Sequence, residues 1–280
     1  MNILLGEIDP IAISVGPITI YWYGIIIAAA MFVAIYLTTR EGNKRGLAED
    51  TIIDTSLWAI PIGFIGARLY YVLFELDYYL QYPTEIIAIW NGGIAIYGGL
   101  IAGGLTVYIY TKKKEIPLAL LLDVLAPSVL LAQSIGRWGN FMNQEAHGGP
   151  VSRQFLENLY LPNVIIEQMN INGTYYQPTF LYESLWSLLG FCVLIILRNR
   201  KKLLRQGEVA LSYVLWYSTG RFFIEGMRTD SLWIGDLIRV SQALSLVLVI
   251  GVIIIWYLRR QDYPPNPYYL EGNQNLEPSK

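Results

Sequence analysis

The sequence predicts an all-α, polytopic membrane protein of about seven transmembrane helices with a small extracytoplasmic head. Three observations carry that prediction. Only 15% of the 280 residues are charged and 54% are apolar, with a mean hydropathy of +0.39, whereas a soluble domain carries about a quarter charged residues. Seven segments approach the ~20 mostly apolar residues needed to cross about 30 Å of hydrocarbon. Lysines and arginines then cluster after every second segment, as cytoplasmic loops require.

The segments lie near residues 18–38, 51–74, 89–111, 117–136, 179–197, 208–227 and 238–258. The first, fifth and seventh read as clean apolar runs. The other four contain glycine, proline, asparagine or arginine and are expected to face one another. Arg40, Lys44 and Arg45 follow the first segment, Lys112, Lys113 and Lys114 the third, Arg198 to Arg205 the fifth, and Arg259 and Arg260 the seventh. Residues 1–17 and 75–88 hold no lysine or arginine. This alternation predicts an outer N-terminus and a cytoplasmic C-terminus. The stretch MNILLGEIDPIAISVGP has no positive n-region and no small-residue cleavage site, and is not read as a cleaved signal peptide. One domain is expected over residues 1–260, with the polar segment 139–178 as its head. Residues 261–280 are expected to form a polar, disordered cytoplasmic tail.

Composition removes several classes of function. A net charge of −2 gives no electrostatic footprint for nucleic acid. One cysteine, Cys192, and one histidine, His147, exclude an internal disulfide, multi-cysteine metal sites and zinc sites with two imidazoles. No metal or cofactor is expected. Cys192 sits in an apolar run and is read as a buried packing residue. No internal repeat relates the two halves, which weighs against a transporter. An intramembrane protease would need Ser-His or paired aspartates within the membrane, and Asp54 with Asp123 makes a poor pair; each is read instead as capping or pairing at a cytoplasmic helix end.

The informative residues are those a membrane penalises. A central arginine costs about 2.5–3.5 kcal/mol on insertion scales, yet Arg68, Arg137 and Arg221 lie in or at the ends of spans. Snorkelling would explain any one of them. Three on the outer side suggest a shared anionic ligand, of which phospholipid phosphate is the abundant example. In the sixth segment Tyr217, Arg221, Glu225 and Arg228 recur at i, i+4, i+8 and i+11, within about 80° of one helix face; a structural ion-pair ladder would look similar. The third segment reads WNGGIAIYGGLIAGG, where Gly99 and Gly103 form a GxxxG pair widened by Gly98 and Gly104. Close helix packing accounts for these glycines, whereas the Tyr97 phenol beside them seeks a polar partner. Tyr21, Trp22 and Tyr23 suit an aromatic belt. The most specific stretch, SIGRWGNFMNQEAHGGP, sets Arg137, Asn140, Asn143, Glu145 and His147 among glycines.

GRWGNFMNQEAHG, with GARLYYVLFE at 66–75, YGGLIAGG at 97–104, QPTFLYES at 177–184 and GRFFIEGMR at 220–228, resembles bacterial prolipoprotein diacylglyceryl transferases. The resemblance runs in order over nearly the whole chain, from YWYG at 21–24 to the seventh span. It implies a seven-helix enzyme of the bacterial cell membrane. The implied reaction moves the diacylglyceryl group of phosphatidylglycerol to the lipobox cysteine thiol of a prolipoprotein, forming a thioether as glycerol phosphate leaves. It makes phosphatidylglycerol, the prolipoprotein signal peptide and the bilayer the expected partners. It also makes Arg137 and Arg221 the essential phosphate-binding arginines, with Tyr23, Asn140, Glu145, Gly148, Tyr217, Glu225 and Arg228 as pocket residues. Gly98, Gly99 and Asn143, within the matching blocks, join the candidate substrate-binding set. Two departures stand out. Many members have histidine where this chain has Tyr97, a position with a catalytic part, and many have histidine where it has Gln177. Tyr97, Glu145 and His147 therefore stay open as candidate bases, and a thiol near guanidinium groups can ionise without one. A transporter or channel for an anionic lipid or solute is the rival reading.

Overall fold

The computed structural model describes residues 8–16, 18–229, 231, 233–234 and 237–271. In chain order the described elements are β1 (Ile11–Val15), β2 (Ile18–Tyr21), α1 (Trp22–Lys44), α2 (Thr51–Phe74), α3 (Leu76–Gln81), α4 (Ile96–Lys113) and α5 (Leu118–Met142). There follow β3 (Pro150–Val151), α6 (Arg153–Asn158), α7 (Asn163–Gln168), β4 (Asn170–Ile171), β5 (Thr174–Tyr176), α8 (Thr179–Arg198), α9 (Glu208–Glu225), β6 (Trp233–Ile234), β7 (Ile238–Arg239) and α10 (Val240–Gln261). The chain divides into two compact units, Met1–Leu37 with Leu122–Gly272, and Thr38–Leu121 with Asn273–Lys280.

Among the described residues five helices, α1, α2, α5, α8 and α10, are long and apolar enough to cross a membrane. The third and sixth expected segments appear as α4 and α9, of 18 residues each. Such a helix is about 27 Å long. Its mean hydropathy is lowered in α4 by glycines and two terminal lysines, and in α9 by Glu208, Arg221 and Glu225.

Two helix starts differ from expectation for local reasons. The first helix starts at Trp22 because β1 and β2 immediately before it pair antiparallel, and their β-branched residues favour extended backbone. The third starts at Ile96 because Gly92 and Gly93 adopt φ of 83° and 73°, a left-handed conformation that glycine tolerates and a helix cannot continue through. Two further expectations are corrected. Cys192 is exposed on α8 rather than buried, which suits a sulfur in contact with lipid. The segment after α10 is ordered through Glu271: the Gln206 N–H donates to the Pro267 carbonyl and the Tyr269 N–H to the Leu204 carbonyl. The Tyr269 ring, 1% exposed, anchors this segment. Residues 272–280 of the expected disordered tail lie outside the described residues.

In the unit Thr38–Leu121, α2 and α4 meet through their glycines. A Cβ on Gly66 would stand 2.2 Å from Ala102 Cβ, and one on Gly98 2.3 Å from Tyr70 Cβ and 2.4 Å from the Gly66 carbonyl. Gly99 faces the Gly63 carbonyl and Ala67, and Gly103 faces the Ala59 carbonyl. The GxxxG face therefore serves helix packing. Gly98→Ala is expected to force the helices apart and destabilise the protein by about 1–3 kcal/mol, read as a lower unfolding midpoint in detergent. Asp54, near the start of α2, accepts from the Tyr110 hydroxyl at 3.1 Å.

In the other unit, side-chain clasps set helix register. Ser184 Oγ on α8 donates to the Ser134 carbonyl on α5 at 2.9 Å. Trp186 on α8 and Trp216 on α9 stack with ring centroids 4.6 Å apart, and each indole N–H donates to the other's backbone carbonyl, at 3.0 and 2.9 Å. The rings fit because Gly190 and Gly220 lie beneath them, where a Cβ would come within 2.3 and 2.2 Å of an indole nitrogen. Gln133 Nε2 on α5 donates to the Tyr213 hydroxyl on α9 at 3.0 Å. Asp123, fully buried in α5, accepts from the N–H groups of Gly207 and Ala210 at 2.6 and 2.9 Å. It thus satisfies the orphan donors that open α9.

Residues 143–178 fold as a small subdomain on the end of α5. A three-stranded antiparallel sheet in the order β3-β5-β4 accompanies a core of Phe141, Leu156, Ile165, Ile166, Met169 and Phe180. Arg153 on its surface pairs with Glu157 at 2.9 Å and Glu167 at 2.8 Å, and these partners hold its guanidinium above the ordinary arginine range.

Candidate active site

In the unit Met1–Leu37 with Leu122–Gly272, Arg137, Arg221 and Arg228 meet at a carboxylate that the sequence reading passed over, and Glu225 pairs with Arg221 beside it. Glu183 lies in the first turns of α8 and is 6% exposed. Its Oε2 is 2.6 Å from Arg137 Nη2, on the last turns of α5. Its Oε1 is 3.4 Å from Arg221 Nη1 on α9 and 3.6 Å from Arg228 Nη1. Arg221 Nη2 also pairs with Glu225 Oε2 at 2.5 Å, one helical turn on. Arg239 of β7 donates to the Glu225 carbonyl and stacks on Trp233, 4.9 Å from the ring centre.

The clasps explain why these groups meet. Ser134 and Ser184 join α5 to α8 close to Arg137 and Glu183. Gly220, beneath the Trp186 ring, immediately precedes Arg221. The same register thus sets both arginines against Glu183.

Charge and exposure decide what such a cluster can bind. Three guanidinium groups face two carboxylates, leaving at least one positive charge in excess. The side chains of Glu183 and Glu225 are 7% and 3% exposed, while those of Arg137, Arg221 and Arg228 are 22%, 18% and 12% exposed. The carboxylates sit behind and the guanidiniums present outward. A planar guanidinium donates in pairs to phosphate or carboxylate oxygens, so this face suits an anion.

The remaining expected residues of this unit have their own surroundings. Arg137 Nη1 also reaches Asn140 Oδ1 at 3.4 Å, and Asn140 Nδ2 donates to Glu145 Oε1 at 2.8 Å. Tyr23 on α1 lies against Gly139, where a Cβ would come within 2.8 Å of its ring; the second glycine of GRWG makes room for it. Gly148 is buried and pairs as an isolated bridge with Arg228. A Cβ there would stand 2.7 Å from Gln177 Cβ, so glycine lets the backbone pack against Gln177. Tyr217 is half-buried and stacks on Tyr213, with centroids 6.0 Å apart. Asn143 is exposed.

Several expectations change. The helix carrying Arg221 ends at Glu225, so Arg228 is held by its bridge to Gly148 rather than by a continuous helical stripe. Arg68 belongs to the unit Thr38–Leu121. Its guanidinium is consumed by the carbonyls of Glu85, Ile86, Gly92 and Gly93 at 2.6–2.8 Å. Tyr97, Gly98 and Gly99 belong to the unit Thr38–Leu121, where Tyr97 is half-buried and the two glycines face α2. His147 stacks on Tyr176, 4.1 Å between ring centres, with Nδ1 3.1 Å from the Gly148 carbonyl. His147→Gln is expected to leave the catalytic rate and its pH profile unchanged. A profile that loses an inflection near neutrality would instead make this imidazole the base.

Glu183 and Arg239 are the functional candidates that sequence reasoning missed. The signal for Glu183 was present, as a lone carboxylate within an apolar span.

A family model described as prolipoprotein diacylglyceryl transferase matches residues 10–258. Relatives named phosphatidylglycerol–prolipoprotein diacylglyceryl transferase include a Lactobacillus acidophilus protein, 55% identical over 95% of each chain. One from Ligilactobacillus salivarius is 57% identical over 95% of this chain and 99% of its own. Another from Lactiplantibacillus plantarum is 54% identical over 98% of this chain and 97% of its own. The match together with the apolar helices makes this a multi-pass bacterial membrane protein. The chain belongs to the prolipoprotein diacylglyceryl transferase family.

Proposed function

We propose that the protein transfers the diacylglyceryl group of phosphatidylglycerol to the lipobox cysteine thiol of a prolipoprotein. The observation that carries the proposal is the outward-facing set of Arg137, Arg221 and Arg228 on the single carboxylate of Glu183. The relatives' names supply the reaction and both substrates.

The thiolate sulfur attacks the glycerol carbon that bears the phosphate ester. A carbon–sulfur bond forms, the carbon–oxygen bond breaks, and its electron pair departs on glycerol phosphate. The thiol proton passes to a base or to water. Charge grows on the leaving phosphate, and Arg137 and Arg221 are placed to stabilise it without reorganisation. Arg228 adds to the same field. Glu183 and Glu225 hold the guanidiniums in place. Tyr23, Asn140, Glu145, Gly148 and Tyr217 shape the pocket, with Asn143 at its exposed edge. Tyr97 is retained as a catalytic candidate, with Gly98 and Gly99 beside it, on sequence position alone. Guanidinium groups near the thiol lower its pKa, so a dedicated base is not required by the chemistry.

In this reading α4 and α9 also cross the bilayer, giving seven spans within a catalytic domain over residues 1–260. The N-terminus and the subdomain at 139–178 lie outside the cell and the C-terminus in the cytoplasm, on the distribution of lysine and arginine. A transporter draws no support from the relatives. Purified protein incubated with phosphatidylglycerol and a lipobox peptide is expected to add the mass of diacylglyceryl to the peptide cysteine. No addition, or equal addition to a peptide with serine at that position, overturns the proposal.

A further inference from the structure

Residues 68–93 line an open cavity with a volume of about 420 Å³, and none of its lining residues belongs to the guanidinium cluster. That is within the range of small-molecule sites. Its walls are the rings of Tyr71, Tyr78 and Tyr79 and the carboxylates of Glu75 and Glu85, over the Gly92–Gly93 turn. Arg68 forms the floor, and its bonds to four carbonyl oxygens lock it there. It makes no ion pair with either glutamate among the described residues.

The polar groups of this cavity are incompletely used. Tyr79 is 6% exposed, and its ring is packed against Tyr78 and beneath Arg68, 5.2 and 5.1 Å away. Its hydroxyl makes no hydrogen bond among the described residues and is not one of the buried polar atoms, so it is open to the cavity that the side chain lines. Glu75 has no side-chain partner among the described residues, and Glu85 accepts only from the Tyr78 hydroxyl, at 2.8 Å. That bond holds the Tyr78 phenol above its ordinary range, so its ring stays neutral. Arg68 is the only lysine or arginine between Arg45 and Lys112, against Glu75, Asp77 and Glu85 in the segment 75–88.

We propose that this cavity binds an organic ammonium group, held between Glu75 and Glu85 and against the rings of Tyr71 and Tyr78, with the Tyr79 hydroxyl accepting from or donating to the ligand. The two carboxylates exclude an anion, and the negative ring faces add an attraction that a neutral ligand would lack. A free amine and an amine-bearing lipid headgroup both present this group.

The test uses the full chain in an uncharged maltoside detergent. Choline is titrated by calorimetry beside its neutral isostere 3,3-dimethylbutanol, and phosphatidylcholine retention is measured by native mass spectrometry against phosphatidylglycerol. Choline binding without isostere binding assigns a free amine. Selective retention of phosphatidylcholine without choline binding assigns a headgroup. In either case Glu75→Gln with Glu85→Gln is expected to weaken binding by about tenfold or more, and Tyr79→Phe to weaken it less while keeping preference for the cation. Equal binding of cation and isostere, unchanged binding in the double glutamine variant, or neither ligand bound overturns the proposal. None of these residues belongs to the Arg137–Arg221 cluster, so that result leaves the transferase assay as an independent test.

Discussion

Arg137→Ala and Arg221→Ala are each expected to lower diacylglyceryl transfer by roughly 10²–10³-fold, the usual effect of removing one preorganised donor from a developing negative charge. The two should behave alike because they approach opposite oxygens of Glu183, Arg137 at 2.6 Å and Arg221 at 3.4 Å. Either truncation removes a donor and also leaves an anionic side chain with less compensation. Lysine at either position is expected to rescue little, since an ammonium cannot donate in the paired, planar fashion of guanidinium. The measurement is transfer to a lipobox peptide at equal membrane levels of each variant. Wild-type rates in either alanine variant would remove the role assigned to the cluster.

The second large effect is expected at Glu183. Replacing it with alanine takes the shared counter-charge from three guanidinium groups in a largely buried place. Breaking a buried ion pair on one side typically destabilises by about 3–5 kcal/mol, so Glu183→Ala is expected to lower the unfolding midpoint in detergent and abolish transfer. Glu183→Gln keeps shape and one hydrogen-bonding oxygen but still loses the charge. Combining it with Arg228→Gln restores the balance of positive and negative groups, and the pair is expected to be less destabilised than the sum of the single variants. Coupling energies for groups in contact run to about 0.5–3 kcal/mol. Strict additivity in that cycle would show that Glu183 and Arg228 do not share the interaction drawn between them.

Much of this arrangement was legible before any coordinates. Apolar lengths located the seven helices of 18 or more residues among the described residues, five of them long and apolar enough to cross a membrane, because a membrane rewards hydrophobic length at every position. GRWGNF announced Arg137 and Asn140, and GRFFIEGMR announced Arg221, Glu225 and Arg228. Glu183 escaped because one carboxylate among Phe180, Leu181, Leu185 and Trp186 barely changes the hydropathy of a long window. Its importance comes from partners 38 and more positions away in sequence, which periodicity does not register. Arg68 misled in the opposite way. Its position resembled that of the other arginines, but its satisfaction by backbone carbonyls depends on how the Gly92–Gly93 turn folds back. The strand β2 was absorbed into the first span, and β1 was passed over in residues 1–17, because isoleucine is equally at home in lipid and in a hairpin.

The reciprocal tryptophans of α8 and α9 restrict how this protein can move. Shifting α9 along α8 by one residue, about 1.5 Å, would break both indole bonds and drive a ring into the backbone at Gly190 or Gly220. The two helices are therefore obliged to travel as one lever arm. Any opening that admits a two-tailed lipid or releases a diacylated prolipoprotein has to be hinged in elements other than this pair.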